Sequence, residues 1–156
     1  MYATKRHGAI TYADGGALSI TFADVGDFQM GPMGNNQRDA LAVLNRGSFG
    51  AWVDGDDVPI DFSFSINLKG ETVTSASASR ALDAIRWTGT WSSGTTTNPG
   101  GFGPNVGTLT YTVTVGGTTS TIPIVYAKMT AQVNESGQNT IISVTGQGYL
   151  GTVSAT

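Results

Sequence analysis

The sequence predicts a mainly β domain: an antiparallel two-sheet sandwich or open barrel, with one flanking α-helix and a long early loop. Three observations predict it. Apolar and polar residues alternate in several runs, the longest setting Val58, Ile60, Phe62, Phe64, Ile66 and Leu68 against Asp61, Ser63, Ser65, Asn67 and Lys69. Period-two alternation is a strand with one face buried and one wet. Helical spacing occurs convincingly in one stretch only, SASASRALDAIRWTG, and glycine-bearing turns punctuate the alternating runs. A chain of 156 residues amounts to one domain, able to bury on the order of two-thirds of its unfolded surface.

The elements follow in order. Ile10 and Tyr12 alternate with Thr11 and Ala13, and Leu18, Ile20 and Phe22 alternate with Ser19 and Thr21. Asp14-Gly15-Gly16 between them reads as a hairpin turn, with the glycines supplying positive φ. Residues 25–39, VGDFQMGPMGNNQRD, have no clear period and carry Gly26, Gly31, Pro32 and Gly34, yet hold Phe28, Met30 and Met33. Loops this long are uncommon inside compact domains. The aromatic and the two methionines predict packing, either on the end of the chain's own core or on a partner.

Residues 40–54 read as a strand pair or one bulged strand around Gly47, and Gly55-Asp56-Asp57 as a turn into the long strand. That strand would run roughly 40 Å at ~3.3 Å per residue, with Pro59 near its start, where strand prolines belong. The helix, about residues 76–88, buries Ala78, Ala81, Leu82 and Ile85 and turns Arg80, Asp83 and Arg86 outward. Ser75 or Ser77 can cap its start and Gly89 end it. Residues 91–107 are rich in turn residues. Strands resume with TLTYTVTV at 108–115, turn at Gly116-Gly117, and continue from Ile122 to Val133 with a parity change that places a bulge near Val125. A last strand follows the turn at Glu135-Ser136-Gly137.

Composition narrows the function classes. Charged residues are 12% of the chain, against about 25% in ordinary domains, and the net charge is −3. No basic field exists to hold nucleic acid as a ligand. A surface so poor in charge fits a protein that covers itself with copies or partners. There is no cysteine, so no disulfide framework or thiolate metal site. The N-terminal stretch has no apolar core of a signal peptide, and no run approaches the ~20 apolar residues of a membrane span. The expectation is a chain made in the cytoplasm that leaves it only inside a larger particle. Asn134-Glu135-Ser136 then reads as a chance sequon.

No catalytic or cofactor-binding group emerges. His7 stands alone near the terminus, without the rigid scaffold that a catalytic base needs. Asp54, Asp56, Asp57 and Asp61 lack the spacing of a calcium loop and read as a solvated turn, not a metal site. Their spacing to Glu71 or Glu135 does not favour a glycosidase pair. GGFGPNVG lacks the lysine and hydroxyl residue of a phosphate loop. Trp52, Trp87 and Trp91, with Tyr2 or Tyr149, could form a sugar-stacking platform, although Trp87 and Trp91 flank the helix end, where packing is the ordinary role.

The order of features resembles the tail tube proteins of long-tailed bacteriophages. GDFQMGPM precedes VLNRGSFGAWVDGDDVPIDFSFSINLK, followed by one helix, paired threonine-rich strands and the closing ISVTGQGYLG. The resemblance runs from about Leu18 to Gly151. It implies a non-enzymatic virion subunit, made in the host cytoplasm and assembled into stacked six-membered rings, whose hollow tube passes the genome into the host. It implies as partners the chain itself, the tape measure, tail tip and tail terminator proteins, and DNA in transient non-specific passage, with no membrane insertion, cofactor or metal. Residues 25–39 match by position a loop that bridges subunits, making Phe28, Met30, Pro32 and Met33 candidate contacts. Asp61, Ser63, Ser65 and Asn67 are candidate lumen-facing residues, since a wall for sliding DNA needs hydration without cation clusters. Alternatives are a secreted-type carbohydrate-binding or adhesin sandwich using the tryptophans, or another phage shell protein such as a capsid decoration subunit.

Overall fold

The structure, a computed structural model, describes residues 8–22, 25–34, 37–68, 78–136 and 139–155. The strands are β1 (Gly8–Ala13), β2 (Ser19–Thr21), β3 (Gln29–Gly31), β4 (Arg38–Asn45), β5 (Ser48–Asp57), β6 (Ile60–Leu68), β7 (Gly107–Val115), β8 (Thr118–Ser136), β9 (Asn139–Leu150) and β10 (Ser154–Ala155), with one helix, α1 (Ala78–Arg86), between β6 and β7. Eight strands form one antiparallel sheet in the order β2-β1-β7-β8-β9-β6-β3, with β10 also paired to β8; among the described residues β4 and β5 pair only with each other.

The eight-stranded sheet becomes a sandwich because β8 serves both layers. Its first part, from Thr118 to Ala127, pairs with β7, and its second part, from Ile124 to Ser136, pairs with β9. Between Val125 and Lys128 the register with β9 slips, and Tyr126 takes φ 53°. A bulge bends its strand and increases the local twist. The first layer is therefore β2-β1-β7-β8-β10 and the second β8-β9-β6-β3. Ile10, Tyr12, Leu109 and Ile124 of the first face Ile60, Phe62, Phe64, Ile66, Ile142 and Val144 of the second, all buried in one cluster. The fold is the mainly β sandwich with a single helix that the alternation predicts.

The helix buries Ala81, Ala84 and Ile85 against that cluster, and Leu82 packs at its margin. It stops earlier than expected. Trp87 turns into the left-handed region at φ 55°, and the Thr88 N–H donates to the Asp83 carbonyl at 3.0 Å. That is the hydrogen bond of a Schellman cap, with tryptophan where glycine is usual. A left-handed non-glycine residue costs about 1–2 kcal/mol. Burying the indole offsets the cost: Trp87 stands edge-on to Tyr12 at 6.3 Å and Trp91 stacks on the same ring at 5.4 Å. Ser75 and Ser77 lie outside the described residues.

Three turns differ from expectation; in one, Glu135 and Ser136 are the end of β8, and Gly137 lies outside the described residues. Gly15 and Gly16 do not take positive φ; the Asp14 side chain closes the turn instead, accepting from the Gly16 and Leu18 N–H groups at 2.9 and 3.0 Å and from Thr95 N–H at 2.8 Å. One buried carboxylate thus ties the first hairpin to the loop after the helix. Gly55, Asp56 and Asp57 are the end of β5, and the change of direction falls at Val58-Pro59. Residues 25–39 are divided between Val25, which bridges Ile66, the edge strand β3 and the start of β4.

The hydroxyl of Tyr12 sits at the meeting point of these elements. It donates to the Ala127 carbonyl at 3.3 Å and accepts from Trp87 Nε1 at 3.1 Å. Burial pushes its pKa up from 10.0 to about 12. Between those values the unfolded chain has lost the proton that the folded one keeps, so stability is intact below pH 10 and falls as pH rises towards 12. At about 1.4 kcal/mol per pH unit the full loss is about 2–3 kcal/mol. Urea unfolding at pH 8 and at pH 11.5 measures it. Tyr12→Phe should remove this contribution and cost about 1–3 kcal/mol at pH 8 by orphaning the Trp87 N–H.

Candidate functional site: a neutral sheet face and an apolar arm

The second layer has an outer face built by the residues that alternate with its core positions. Register aligns them in rows: Asp61, Gln147 and Lys128; then Gln29, Ser63, Thr145 and Thr130; then Ser65, Ser143 and Gln132; then Asn67, Ile141 and Asn134. Asp61 and Lys128 are the only charges in these rows, and they are opposite in sign. The side chains bond to each other across the strands. Gln147 Nε2 donates to Asp61 Oδ1 at 3.0 Å, the Thr130 and Thr145 hydroxyls lie 3.0 Å apart, and Asn134 Nδ2 donates to Ser143 Oγ at 3.1 Å. The result is a polar face with one charge of each sign and little field of its own.

Glycine keeps this layer close-packed from behind. Gly146 and Gly148 occupy inward positions of β9 opposite Phe62 and Ile60. A Cβ at Gly146 would collide with the Phe62 ring and the Lys128 carbonyl, and one at Gly148 with Ile124. The layer has two open sides among the described residues. Beyond Ala127, β8 pairs only with β9, and the three-residue β3 has a partner on one side only. Unpaired strand edges are templates for another strand.

The second feature is an arm. β4 and β5 form a two-stranded sheet of their own, turned at Arg46 and Gly47, whose φ values of 52° and 83° are those of a tight type I′ hairpin turn. The strand pair expected around Gly47 is thus the form adopted. Leu41 (57%), Leu44 (59%), Phe49 (59%) and Trp52 (66%) are exposed, as are Val43 and Val53. At the root, the Gln37 carbonyl accepts from Val58 N–H at 2.9 Å, and Arg38 Nε donates to Asp57 Oδ1 at 2.8 Å. A two-stranded hairpin is at best marginally stable alone in water.

No protein-family model and no curated sequence matches the chain. Solved structures do. The sheath/tube terminator of an extracellular contractile injection system, PVC, in the extended state aligns over 100% of this chain and 97% of its own, with TM-score 0.54 and 10% identity. A chain of the PVC sheath-tube complex in the extended state aligns over 99% and 91%, with TM-score 0.53 and 12% identity. The anti-feeding prophage tube-terminating cap aligns over 100% and 91%, with TM-score 0.52 and 10% identity. The chain shares their fold.

The structure brings Asp61, Ser63, Ser65 and Asn67 together on the neutral face. It separates the loop candidates. Phe28 stacks on Tyr111 at 4.9 Å and touches Phe64, and Met30 packs against the core, so both cover the chain's own interior. Pro32 and Met33 are exposed. The acids disperse: Asp54 lies on the arm, Asp57 pairs with Arg38, and Asp61 accepts from Gln147. Among the described residues no three histidine or acidic side chains gather as a metal site. Trp87 and Trp91 are buried, so the sugar-stacking platform does not form; Trp52 alone is open. His7, Tyr2 and Glu71 lie outside the described residues. The arm's apolar content was visible in ALAVLNRGSFGAWV, but alternation alone does not say that a hairpin leaves the core.

Two outcomes test this geometry. Gly146→Ala should destabilise the chain by about 1–3 kcal/mol through overpacking against Phe62, read as a lowered thermal midpoint. Brief trypsin digestion of the unassembled chain should cut after Arg46, at the exposed arm tip, before Arg86 or Lys128. Resistance at Arg46 would mean that the arm is covered within the monomer.

Proposed function

We propose that the chain is a non-enzymatic structural subunit of a phage-tail-like tube, assembling into rings, six-membered as in the tail tube proteins it resembles, whose joined second layers line a channel. The observation that carries the reading is the second layer itself: four strands, a charge-balanced polar outer face, and an open edge on each side. Copies joined edge to edge would continue the sheet into a closed wall and remove those edges. Four strands at ~4.8 Å span roughly 19 Å, so six subunits give a circumference of about 115 Å and a diameter of about 37 Å between backbones, more with strand tilt. Side chains then leave a bore on the order of 25 Å.

The fold shared with an injection-system sheath/tube terminator, a chain of a sheath-tube complex and a tube cap supports placement in a tail-like particle. It also favours a second reading, a terminal ring that ends a tube instead of repeating along it. The lumen role of Asp61, Ser63, Ser65 and Asn67 and the intersubunit role of Pro32 and Met33 belong to this proposal. So do partnerships with tape measure, tail tip and terminator proteins, passage of DNA, and location in the particle. Among the described residues no helix is long and apolar enough to cross a membrane.

Negative-stain electron microscopy across a concentration series tests the reading. Stacked rings or hollow tubes support the repeating subunit, and single rings that do not stack support the terminator. Dispersed monomers at every concentration, even with a tail-tip initiator, overturn both. Ser63→Lys combined with Ser65→Lys should leave assembly intact and make the tubes retain a short labelled duplex in low salt, at least about tenfold over the unsubstituted chain, with loss at higher salt. Unchanged retention would remove these residues from the lumen.

A further inference from the structure

The loop before β7 is built around one exposed ring. At its neck, Thr97 N–H donates to the Val106 carbonyl at 2.9 Å and Val106 N–H donates to Thr96 Oγ1 at 3.0 Å. Within the loop, Asn98 Nδ2 donates to the Phe102 and Pro104 carbonyls, and the Asn98 carbonyl accepts from Gly101 N–H at 2.9 Å. Gly100 and Gly103 make the bends, at φ 82° and 83°. Phe102 between them is 83% exposed, more than any other large apolar residue among those described. A loop already fixed in this way presents its aromatic ring to a partner with little further ordering to be done. The same chain holds a recess of matching chemistry. A cleft of about 390 Å³ is lined by Gly8, Ile10, Val25, Gly26, Phe28 and Tyr111. Phe28 stacked on Tyr111 at 4.9 Å gives it an aromatic side, and the exposed Asp27 and Gln29 complete the lining.

We propose that Phe102 of each copy plugs the Phe28–Tyr111 cleft of the next copy around the ring. The proposal rests on the ring reading and adds to it the side chain that anchors the seam. Within one chain the two do not meet. The loop runs into Gly107 at the start of β7, whereas the cleft lies at the far end of β1, where Gly8 pairs with Val113. Roughly 20 Å of strand separates those levels at ~3.3 Å per residue. They also lie on opposite flanks of the second layer. Gly107 pairs with Ala127, where the free edge of β8 begins, and Phe28 leads directly into the edge strand β3. Joining β8 of one copy to β3 of the next therefore brings loop and cleft to the same seam. Their offset along the strands is met by the stagger that tilted strands need to close into a barrel. The contact uses two different surfaces, so it passes from copy to copy and is not used up in a pair. A buried phenylalanine covers about 150–250 Å², enough for a central anchor in an interface.

Two variants test the plug. Phe102→Ala removes the ring at an exposed position and should raise the concentration needed for assembly at least about tenfold, with the thermal midpoint of the unassembled chain unchanged. Phe102→p-benzoylphenylalanine keeps an aromatic ring there and makes it photoreactive. This variant is co-assembled with unsubstituted chain labelled with nitrogen-15, irradiated and digested with trypsin, which releases residues 7–38 as one peptide. Expected are crosslinks from position 102 to the labelled 7–38 peptide, at Gly8–Ile10 or Val25–Phe28. Crosslinks to other peptides, or assembly of Phe102→Ala at the unchanged concentration, overturn the plug. Electron microscopy of the same samples separates the two ideas. Rings or tubes crosslinked elsewhere keep the ring reading and sink the plug; crosslinks to 7–38 in particles that are not rings do the reverse. Dispersed monomers without crosslinks overturn both.

Discussion

The rest of the structure depends on the corner in β8. One 19-residue strand pairs with β7 on one side of residues 125–128 and carries β9 on past it. Without that bend the eight strands would form an open sheet with both faces wet. With it, the apolar rows of β1, β7, β6 and β9 face each other and the outer rows are left to water. The corner is held from inside: the carbonyl of Ala127 accepts from Tyr12, whose oxygen accepts from Trp87 at the end of the helix. Gly107, paired with Ala127, leaves room for the Tyr12 ring, which a Cβ there would strike. Strand, helix and hairpin are thus located by one buried hydroxyl.

Among the described residues that arrangement leaves unpartnered in the single chain the open edges of the second layer, its neutral outer face and the arm. Each is awkward for a soluble monomer and sensible in a ring. Edges invite strand addition, which closure satisfies without open-ended growth. A face whose charges are Asp61 and Lys128, opposite in sign, offers no cation cluster to hold a polyanion. A two-stranded hairpin is at best marginally stable alone in water, and covering the apolar faces of the arm would stabilise it.

Much of the fold was legible because side-chain period reports burial directly. Phe62, Phe64 and Ile66 read as inward, and Ser63 and Ser65 as outward, from alternation alone; the parity change near Val125 announced the corner. What was not legible depends on tertiary partners. Phe28 and Met30 read as a partner-facing loop as easily as a core cover, because their contacts, Tyr111 and Phe64, lie far away in sequence. The helix end was misplaced because glycine at 89 is the usual stop, whereas Trp87 gains enough by burial to take the left-handed conformation first. Asp14 read as a turn residue, but its carboxylate closes that turn through Thr95, a partner 81 residues away. The arm shows the same limit. Apolar alternation marks a face that must be covered, and does not say by which chain.

In the proposed ring the outer face of the second layer looks into an enclosed channel. Cysteine accessibility in assembled particles tests it most directly, with Ser143→Cys on that face and Thr112→Cys on the outer face of the first layer. Each is challenged with a small maleimide and with the same maleimide coupled to a large protein. In a closed ring position 143 should react with the small reagent only, while position 112 should react with both. Equal reaction of position 143 with the bulky reagent would contradict it, because that face would then lie open to bulk solvent.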